Sequence, residues 1–132
     1  MLESNVTGRI ELLIKKDSKT EKIFTLSQCD YNISPNYYVE EEEPTVVEIN
    51  LSGGINTGVD TLFLEWMSKQ KGEWSGNLKI YSRDMEKPVV TIKFDKIVPM
   101  NYSQSFSEFS SGTNDIYFSS ILRGVVLNDI KM

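Results

Sequence analysis

NTGVDTLFLEWMSKQKG, residues 56–72, is the one stretch of this 132-residue chain with a convincing helical pattern. Large apolar side chains recur there at intervals of three and four residues, which places them on one face of an α-helix. The polar residues fall on the opposite face. The stretch predicts an amphipathic helix over about residues 58–70, whose core-facing residues are Val59, Leu62, Phe63, Trp66 and Met67.

Both ends of this stretch carry signals that are typical of helix boundaries. Thr57 and Asp60 form the [ST]-x-x-[DE] pattern, in which the first side chain caps a backbone N–H group three residues later. Lys69 suits the negative end of the helix dipole, and Gly72 is a common stop. Leu64 lies away from the apolar stripe, so we expect it to face outward, where a neighbouring molecule can contact it.

The remainder of the chain predicts strands. Apolar and polar residues alternate in four segments, residues 8–16, 45–51, 73–82 and 89–98, as half-buried strands require. In residues 20–33 the alternation changes parity, which predicts a β-bulge or a strand that bends from one sheet to the other. A similar break near Lys96 predicts a kink. A last long strand is predicted over residues 114–128, with Tyr117 and Ile121 on one parity.

These elements predict a mainly β protein of six to seven strands with one flanking helix. The apolar helix face has only strands to pack against, so the architecture is a small antiparallel β-barrel or a two-sheet sandwich. The length suits one core of workable size, and neither a repeat nor a linker interrupts the chain. We therefore predict a single domain over residues 1–132.

Composition narrows the classes of function. The chain has no histidine, one cysteine and a net charge of -5. The absence of histidine removes the commonest general base and transition-metal ligand, so we expect no metal, no cofactor and no enzyme activity. The negative charge argues against nucleic-acid binding. No apolar run is long enough to insert into a membrane, and we expect no signal peptide and synthesis in the reducing cytoplasm.

Residues 34–44, SPNYYVEEEEP, interrupt the strand pattern and predict a long loop with a proline near each end. Four consecutive glutamates are usually a solvated acidic loop, although they could also bind a cation or a partner. Exposed tyrosines beside them favour an interface edge. The candidate contact residues are Asn36, Tyr37, Tyr38, Val39, Glu40, Glu41, Glu42, Glu43 and, on the helix, Leu64.

An ordered set of segments spans nearly the whole chain: CDYN at 29–32, TVVEINL at 45–51, LFLEWM at 62–67, SGNLKI at 75–80 and IVPMNYSQSF at 97–106. This set resembles the haemolysin-coregulated protein family (Hcp, also called TssD), the tube subunits of type VI secretion systems, and most of all its Bacteroidetes branch. The resemblance implies a small β-barrel of two sheets with a flanking helix, and hexameric rings that stack into a hollow tube.

The resemblance also implies the partners and the route of the protein. A contractile sheath would propel the tube out of the cell, with spike and baseplate proteins and effectors as further partners, and export would need no signal peptide. The loop at residues 34–44 would reach the adjacent ring. Its glutamates would then need a basic surface opposite, for which Lys15, Lys16 and Lys19 are candidates.

Two other interpretations stay open at this point. The chain could be the tube protein of a related contractile injection system or phage tail. It could also be a monomeric β-sandwich that binds a ligand such as a glycan. That second function requires an exposed aromatic platform, and the candidates are Trp74, Tyr37, Tyr38 and Tyr81.

Overall fold

In the computed structural model the chain is described over residues 7–36, 46–55, 58–106 and 116–132. One helix and ten strands occur in these ranges: β1 (Thr7–Lys15), β2 (Glu21–Thr25), β3 (Gln28–Asn36), β4 (Val46–Ile55), α1 (Thr61–Met67), β5 (Ser75–Ser82), β6 (Val90–Phe94), β7 (Lys96–Gln104), β8 (Ile116–Arg123), β9 (Val126–Leu127) and β10 (Ile130–Lys131). The predicted mainly β class with a single flanking helix is confirmed.

Two antiparallel sheets form the sandwich. The six-stranded sheet has the order β10-β9-β6-β5-β1-β2, and the four-stranded sheet has the order β3-β4-β8-β7. The two sheets do not close into a barrel in the part of the chain that the structure describes, so the sandwich form of the prediction holds. Their inner faces share one core, in which the most deeply buried side chains include Leu12, Leu51, Leu78, Ile92 and Trp66.

The chain passes between the sheets where the sequence pattern changed parity. The N–H of Leu26 bonds to the carbonyl oxygen of Ile10 on β1, at 2.9 Å, and the next N–H, of Ser27, bonds to Gly54 on β4, at 2.8 Å. Asp95 makes the second passage, and its N–H bonds to Arg123 on β8. The prediction of a strand that bends from one sheet to the other is confirmed.

A third passage divides the predicted last strand. Gly124 lies between β8 and β9 with a φ of 63°, and a Cβ there would lie 2.3 Å from a carboxylate oxygen of Asp95. A residue with a side chain would be strained here, because the left-handed region and the close approach both favour glycine. On β8 the inward residues are Ile116, Phe118 and Leu122, which are buried, whereas the parity of Tyr117 points outward.

The helix is shorter than predicted, and its cap lies further along the chain. Asp60 is the N-cap, and its side chain accepts a hydrogen bond from the N–H of Phe63 at 3.0 Å. Val59 therefore precedes the helix and is 60% exposed, so its prediction as a core residue was wrong. The helix ends at Met67, and Lys69 has a φ of 61°, so the chain leaves the helix before Gly72.

Strands extend into two segments that the sequence pattern predicted as a loop or as the end of a strand. Residues 34–36 belong to β3, where Pro35 is tolerated because β3 lies at the edge of its sheet. The pair Gly53 and Gly54 belongs to β4 and does not end it. Small residues suit these positions, because a Cβ on Gly53 would lie 3.1 Å from the ring of Phe118.

Candidate assembly surfaces

The helix covers one open side of the sandwich. Its buried Phe63 contacts Phe24 of β2 on one sheet and Tyr102 of β7 on the other, with ring centroids 5.5 and 5.9 Å away. The indole N–H of Trp66 donates to the carbonyl oxygen of Ile97, at 2.9 Å. Leu62 and Met67 are partly buried against the same core. The helix therefore bridges the edge strands β2 and β7.

Two ion pairs attach the helix to the β1–β2 hairpin. Lys22 contacts Asp60 at the start of the helix, and Lys16 contacts Glu65 at 3.1 Å. Desolvation acts to raise the pKa of Asp60, but the hydrogen bonds from Lys22 and from the Phe63 backbone outweigh it and lower that pKa below its ordinary value. The ionised carboxylate is thus the form that the folded protein stabilises.

The edge formed by β7 is covered over its first half. Ile97 uses both backbone groups outside the sheet, because its N–H donates to Trp74, at 2.8 Å, and its carbonyl oxygen accepts from Trp66. Pro99 has no N–H to offer, and the register shifts between Pro99 and Asn101. Proline and a register irregularity both discourage pairing with another strand. Among the residues that the structure describes, the second half of β7 is the part of this edge that another chain could contact.

The edge formed by β3 is different. Within the described ranges, β3 is hydrogen-bonded to β4 alone, so its other side is an edge of the sheet. Ile33 lies opposite Ile49 of β4, which is buried, yet the side chain of Ile33 remains 39% exposed. Asn36, one of the predicted contact residues, is the last residue of this strand. The β3 edge is therefore an open strand with an apolar side chain beside it.

The outer face of the four-stranded sheet is rich in amide and hydroxyl groups. Asn32 and Asn50 face each other there, and their side-chain amides are joined by a 3.2 Å hydrogen bond. Ser52 lies opposite Ser119 on the neighbouring strand. Amide and hydroxyl groups occupy much of this face, at Gln28, Asn32, Ser34, Asn50, Ser52, Ser119, Asn101 and Ser103. The same face also has the apolar or aromatic positions Val98, Ile121 and Tyr117 and the charged positions Asp30, Glu48, Lys96 and Arg123.

The outer face of the six-stranded sheet is charged instead. Glu11 lies opposite Lys79, and Lys15 lies opposite Glu21 with 4.0 Å between their charged atoms. Alternating charges of this kind are typical of a surface that is solvated or that meets a polar partner. The two faces of the sandwich therefore differ in chemistry.

A cleft of about 400 Å³ opens between the segment after the helix and the start of β7. Its lining includes the rings of Trp66 and Trp74, which are buried, and the exposed side chains of Lys69, Lys71 and Lys96. We call this feature the lysine cleft. The sequence did not predict it, because Lys96 is far along the chain from the other two lysines.

The predicted contact residues have different outcomes. Tyr37, Tyr38, Val39 and Glu40 to Glu43 lie outside the described residues, so their role stays a prediction. Leu64 is 42% exposed on the helix. The proposed aromatic platform is wrong for Trp74 and Tyr81, because both are buried.

The lysines that were candidates for the basic surface are in large part paired elsewhere. Lys15 and Lys16 contact Glu21 and Glu65, whereas Lys19 is exposed in the turn after β1. The lysine cleft therefore offers a better basic surface than the predicted residues do.

Reactive groups are sparse in the ranges that the structure covers. Cys29 is half-buried against the core, and desolvation, with a smaller contribution from Asp30, raises the pKa of its thiol. No group of three or more histidine, cysteine, aspartate or glutamate residues that could hold a metal ion occurs in residues 7–36, 46–55, 58–106 and 116–132. Across the same ranges, no helix has the length and apolar character needed to span a membrane.

Comparison with known proteins gives a consistent result. The sequence profile described as "Hemolysin coregulated protein Hcp (TssD)" matches residues 20–132. The structure of Hcp1 from Flavobacterium johnsoniae is similar, with a TM-score of 0.70 and 15% identity over 94% of this chain and 98% of that chain. No curated protein matches the chain in sequence.

Two further structures share the fold. The sheath/tube terminator of the extracellular contractile injection system PVC has a TM-score of 0.62 and 12% identity, over 91% of this chain and 93% of that chain. A chain of the anti-feeding prophage baseplate has a TM-score of 0.53 and 12% identity, over 94% of this chain and 93% of that chain.

Proposed function

Because this chain belongs to the hemolysin coregulated protein Hcp (TssD) family and is a tube subunit of a type VI secretion system, we propose that six copies close into a ring and that rings stack into a hollow tube. The four-stranded sheet carries this proposal. A ring requires two different surfaces on each subunit, because each copy contacts its two neighbours through opposite sides. The β3 edge and the second half of the β7 edge are two such surfaces.

The number of strands in the sheet supports lateral contact between these edges. Successive neighbours in the order β3-β4-β8-β7 are antiparallel, so β3 and β7 run in opposite directions. When a rotation places the β7 edge of one copy beside the β3 edge of the next, the alternation of direction continues across the junction. Antiparallel neighbours are the more stable arrangement in a sheet that is open on one face.

The size of such a ring suits a channel. Six copies of a four-stranded sheet bring 24 strands, which at a spacing of about 4.8 Å give a circumference of about 115 Å and a diameter of about 37 Å before strand tilt widens it. The polar outer face of this sheet would line the channel, and the charged face of the six-stranded sheet would face outward, toward the sheath. The amides and hydroxyls would give a passing protein few charged groups near the middle of this face, whereas Glu48, Lys96 and Arg123 would place charge at one end of the channel.

Electron microscopy of the purified chain tests the proposal. We expect annular particles with sixfold symmetry in negative stain and a hexameric mass by native mass spectrometry at low salt. A strictly monomeric species at high protein concentration and low salt would refute it. The Ile33→Asp variant described in the Discussion serves as the matched negative sample, because it should keep the fold and lose the rings.

The proposal includes a route and a non-catalytic role. The Hcp family is secreted, and we propose that this chain is made in the cytoplasm and exported by the machine it belongs to, with sheath, spike and baseplate proteins and effectors as partners. The lack of histidine supports a role without catalysis. Export that persists in cells without a functional sheath would contradict this route.

A further inference from the structure

The two edges of the four-stranded sheet present their backbone groups in the same way. Along a strand, neighbouring residues direct their N–H and C=O groups to opposite sides. On β7 the groups of Ile97 point away from β8, because they bond to Trp74 and Trp66, and the side chain of Ile97 is buried in the core. Core-facing residues of β7 thus point their backbone groups away from β8. Core-facing residues of β3 likewise point theirs away from β4, because β3 runs opposite to β7 and lies at the opposite edge.

The residues in question are Tyr31 and Ile33 on β3 and Tyr102 and Gln104 on the second half of β7. All four share the face of the sheet that packs on the core. In a ring whose β3 edge adjoins the β7 edge of the next copy, such residues face each other as hydrogen-bonded pairs. The register of the junction is therefore set by the residue of β7 that lies opposite Ile33.

Closure of the ring restricts this register. Within one copy Ile33 is level with Ile97, because the row of paired residues runs through Ile49 and Leu122. In a closed barrel the strands tilt, so each copy is displaced along the strands relative to the copy before it. The displacement must be an even number of residues, because an odd number would turn the core-facing side chains toward the lumen.

The edge of β7 favours a displacement of four residues. With no displacement, Ile33 would face Ile97, whose backbone groups are already bonded within the chain. With two residues, Ile33 would face Pro99, which has no N–H to donate. With four residues it faces Tyr102, because the partners of Ile97 and Tyr102 on β8 are four residues apart.

This displacement also completes the pairing on both sides of Ile33. Tyr31 then lies opposite Gln104, two residues away on each strand. In the other direction Pro35 lies opposite Pro99, and neither residue has an N–H. The ladder between copies therefore ends at two prolines, next to the covered start of β7.

The tilt that follows from four residues is typical of closed barrels. Four residues at a rise of about 3.4 Å, over the four strands of one copy at a spacing of about 4.8 Å, correspond to a tilt of about 35°. Two residues correspond to about 20°, whereas the strands of barrels tilt by about 35–45°. Six residues would give about 47° and would set Pro35 against Tyr102.

The direction of the displacement agrees with the free half of β7. Seen from the lumen with β7 running upward, the backbone groups of Ile97 point left, because its side chain points away from the viewer and the residue has the L configuration. The next copy therefore lies to the left. The right-handed twist of strands inclines the barrel strands to the left in this view, which displaces the left-hand copy upward. Upward is toward the C-terminal half of β7, where Tyr102 lies.

We propose that Ile33 of one copy lies opposite Tyr102 of the next, as a hydrogen-bonded pair across the ring junction. This inference rests on the proposed ring and adds the register of its junction. The exposed side chain of Ile33 then packs on the half-buried ring of Tyr102, whose centroid lies 5.9 Å from that of Phe63. On the lumen face Asn32 meets Ser103, so the row of amides and hydroxyls continues from one copy to the next.

Disulfide trapping in a Cys29→Ala background measures the register. Two double variants join positions that the proposed register sets opposite each other: Asn32→Cys with Ser103→Cys, and Ser34→Cys with Asn101→Cys. Their Cα atoms should be about 4.5 Å apart, which a disulfide can span. The swapped combinations, Asn32→Cys with Asn101→Cys and Ser34→Cys with Ser103→Cys, are matched controls at about 7–8 Å. We expect both pairs in register to oxidise at least tenfold faster than either control.

The cross-linked products must join different copies. Within one chain β3 and β7 lie three strand spacings, or about 14 Å, apart, which no disulfide spans. Non-reducing gels of the variants in register should therefore show a ladder that reaches a covalent hexamer. Faster oxidation of the controls, with rings still visible in negative stain, would overturn the register and leave the ring in place. Samples with neither rings nor cross-links would refute the ring and this inference together.

Electron cryo-microscopy of the wild-type ring gives an independent measurement. A displacement of four residues predicts a backbone diameter of about 45 Å for the 24 strands of six copies. A displacement of two residues predicts about 39 Å. Rings of the smaller diameter would overturn the proposed register.

Discussion

The two edges of the four-stranded sheet differ in how far other parts of the chain cover them. At β7, Trp66 and Trp74 satisfy the backbone of Ile97, and Pro99 removes a donor. At β3, the only strand hydrogen-bonded to it within the described residues is β4, and Ile33 is 39% exposed. Proteins normally protect exposed edges against unwanted pairing. This contrast indicates that the chain itself covers the start of β7 and leaves the β3 edge, as far as the described residues show, for a neighbour.

This difference separates the free energy of unfolding of the subunit from the free energy of association between copies. Contacts on the helix side contribute to the stability of the subunit, because they bury large rings and satisfy backbone groups within one chain. Contacts at the β3 edge contribute to association, because their apolar area is still exposed in the single chain. Substitutions on the two sides should therefore affect unfolding and assembly differently.

The largest expected effect is on the helix side. Trp66→Ala should lower the free energy of unfolding by about 3–5 kcal/mol, because a fully buried ring leaves a cavity and the carbonyl of Ile97 loses its donor. Urea unfolding followed by circular dichroism measures this. Leu64→Ala, on the exposed face of the same helix, is the control and should cost less than about 0.5 kcal/mol. Similar losses for both variants would contradict the division.

The β3 edge should show the reverse behaviour. Ile33→Asp should change the stability of the subunit by no more than about 1 kcal/mol, because the side chain is already partly exposed, and should weaken each ring contact about tenfold, or about 1.4 kcal/mol. Sedimentation velocity measures the loss of rings. Ile23→Asp is the matched control, because Ile23 is 58% exposed on an edge of the other sheet. Rings that survive Ile33→Asp would remove β3 from the interface.

A smaller effect is expected at the helix cap. Asp60→Ala should destabilise the subunit by about 1 kcal/mol, because the N–H of Phe63 loses its acceptor and Lys22 loses its partner. Asp60→Asn keeps a side-chain acceptor and should recover most of that loss. Denaturant midpoints of the three proteins give the comparison, and an Asn variant as unstable as the Ala variant would show that the ion pair matters more than the cap.

The smallest effect should appear as a dependence on pH. Because the folded protein lowers the pKa of Asp60 below the value of about 3.9 in an unfolded chain, its contribution is present above that value and disappears as the pH falls through the folded pKa. The wild type should therefore lose more stability than Asp60→Asn between about pH 5 and pH 3. Parallel urea midpoints for the two proteins across that range would contradict this role of the ionised carboxylate.

Much of the fold could be predicted because its signals are local. The spacing of Phe63 and Trp66 identified the helix and its buried face, and the parity changes near Leu26 and Lys96 marked two of the passages between sheets. Local patterns also gave two wrong predictions. Val59 lies at helical spacing from Leu62 and Phe63, but the helix begins after the cap at Asp60, so Val59 lies outside it. The passage at Gly124 went unnoticed because a single glycine inside an alternating segment changes the parity only slightly.

The candidate surfaces were less accessible to prediction. The open β3 edge depends on which strands pair with each other. A proline usually indicates the end of a strand, so the sequence did not predict that β3 continues through Pro35. The lysine cleft depends on residues that come together only in space, because Lys96 joins Lys69 and Lys71 through the position of β7 beside the helix. The spacing of residues along the chain carries no information on contacts between residues that are distant in sequence.

The sequence by itself determined the class of the protein, its single helix, the alternation of its strands and its family, because each of these follows from residue types at short intervals. Only the tertiary structure decided which sheet edge is covered, which face is polar and where the unpaired lysines gather. These features follow from contacts between distant segments, and their free energy depends on strand order and on the path of the chain between the two sheets.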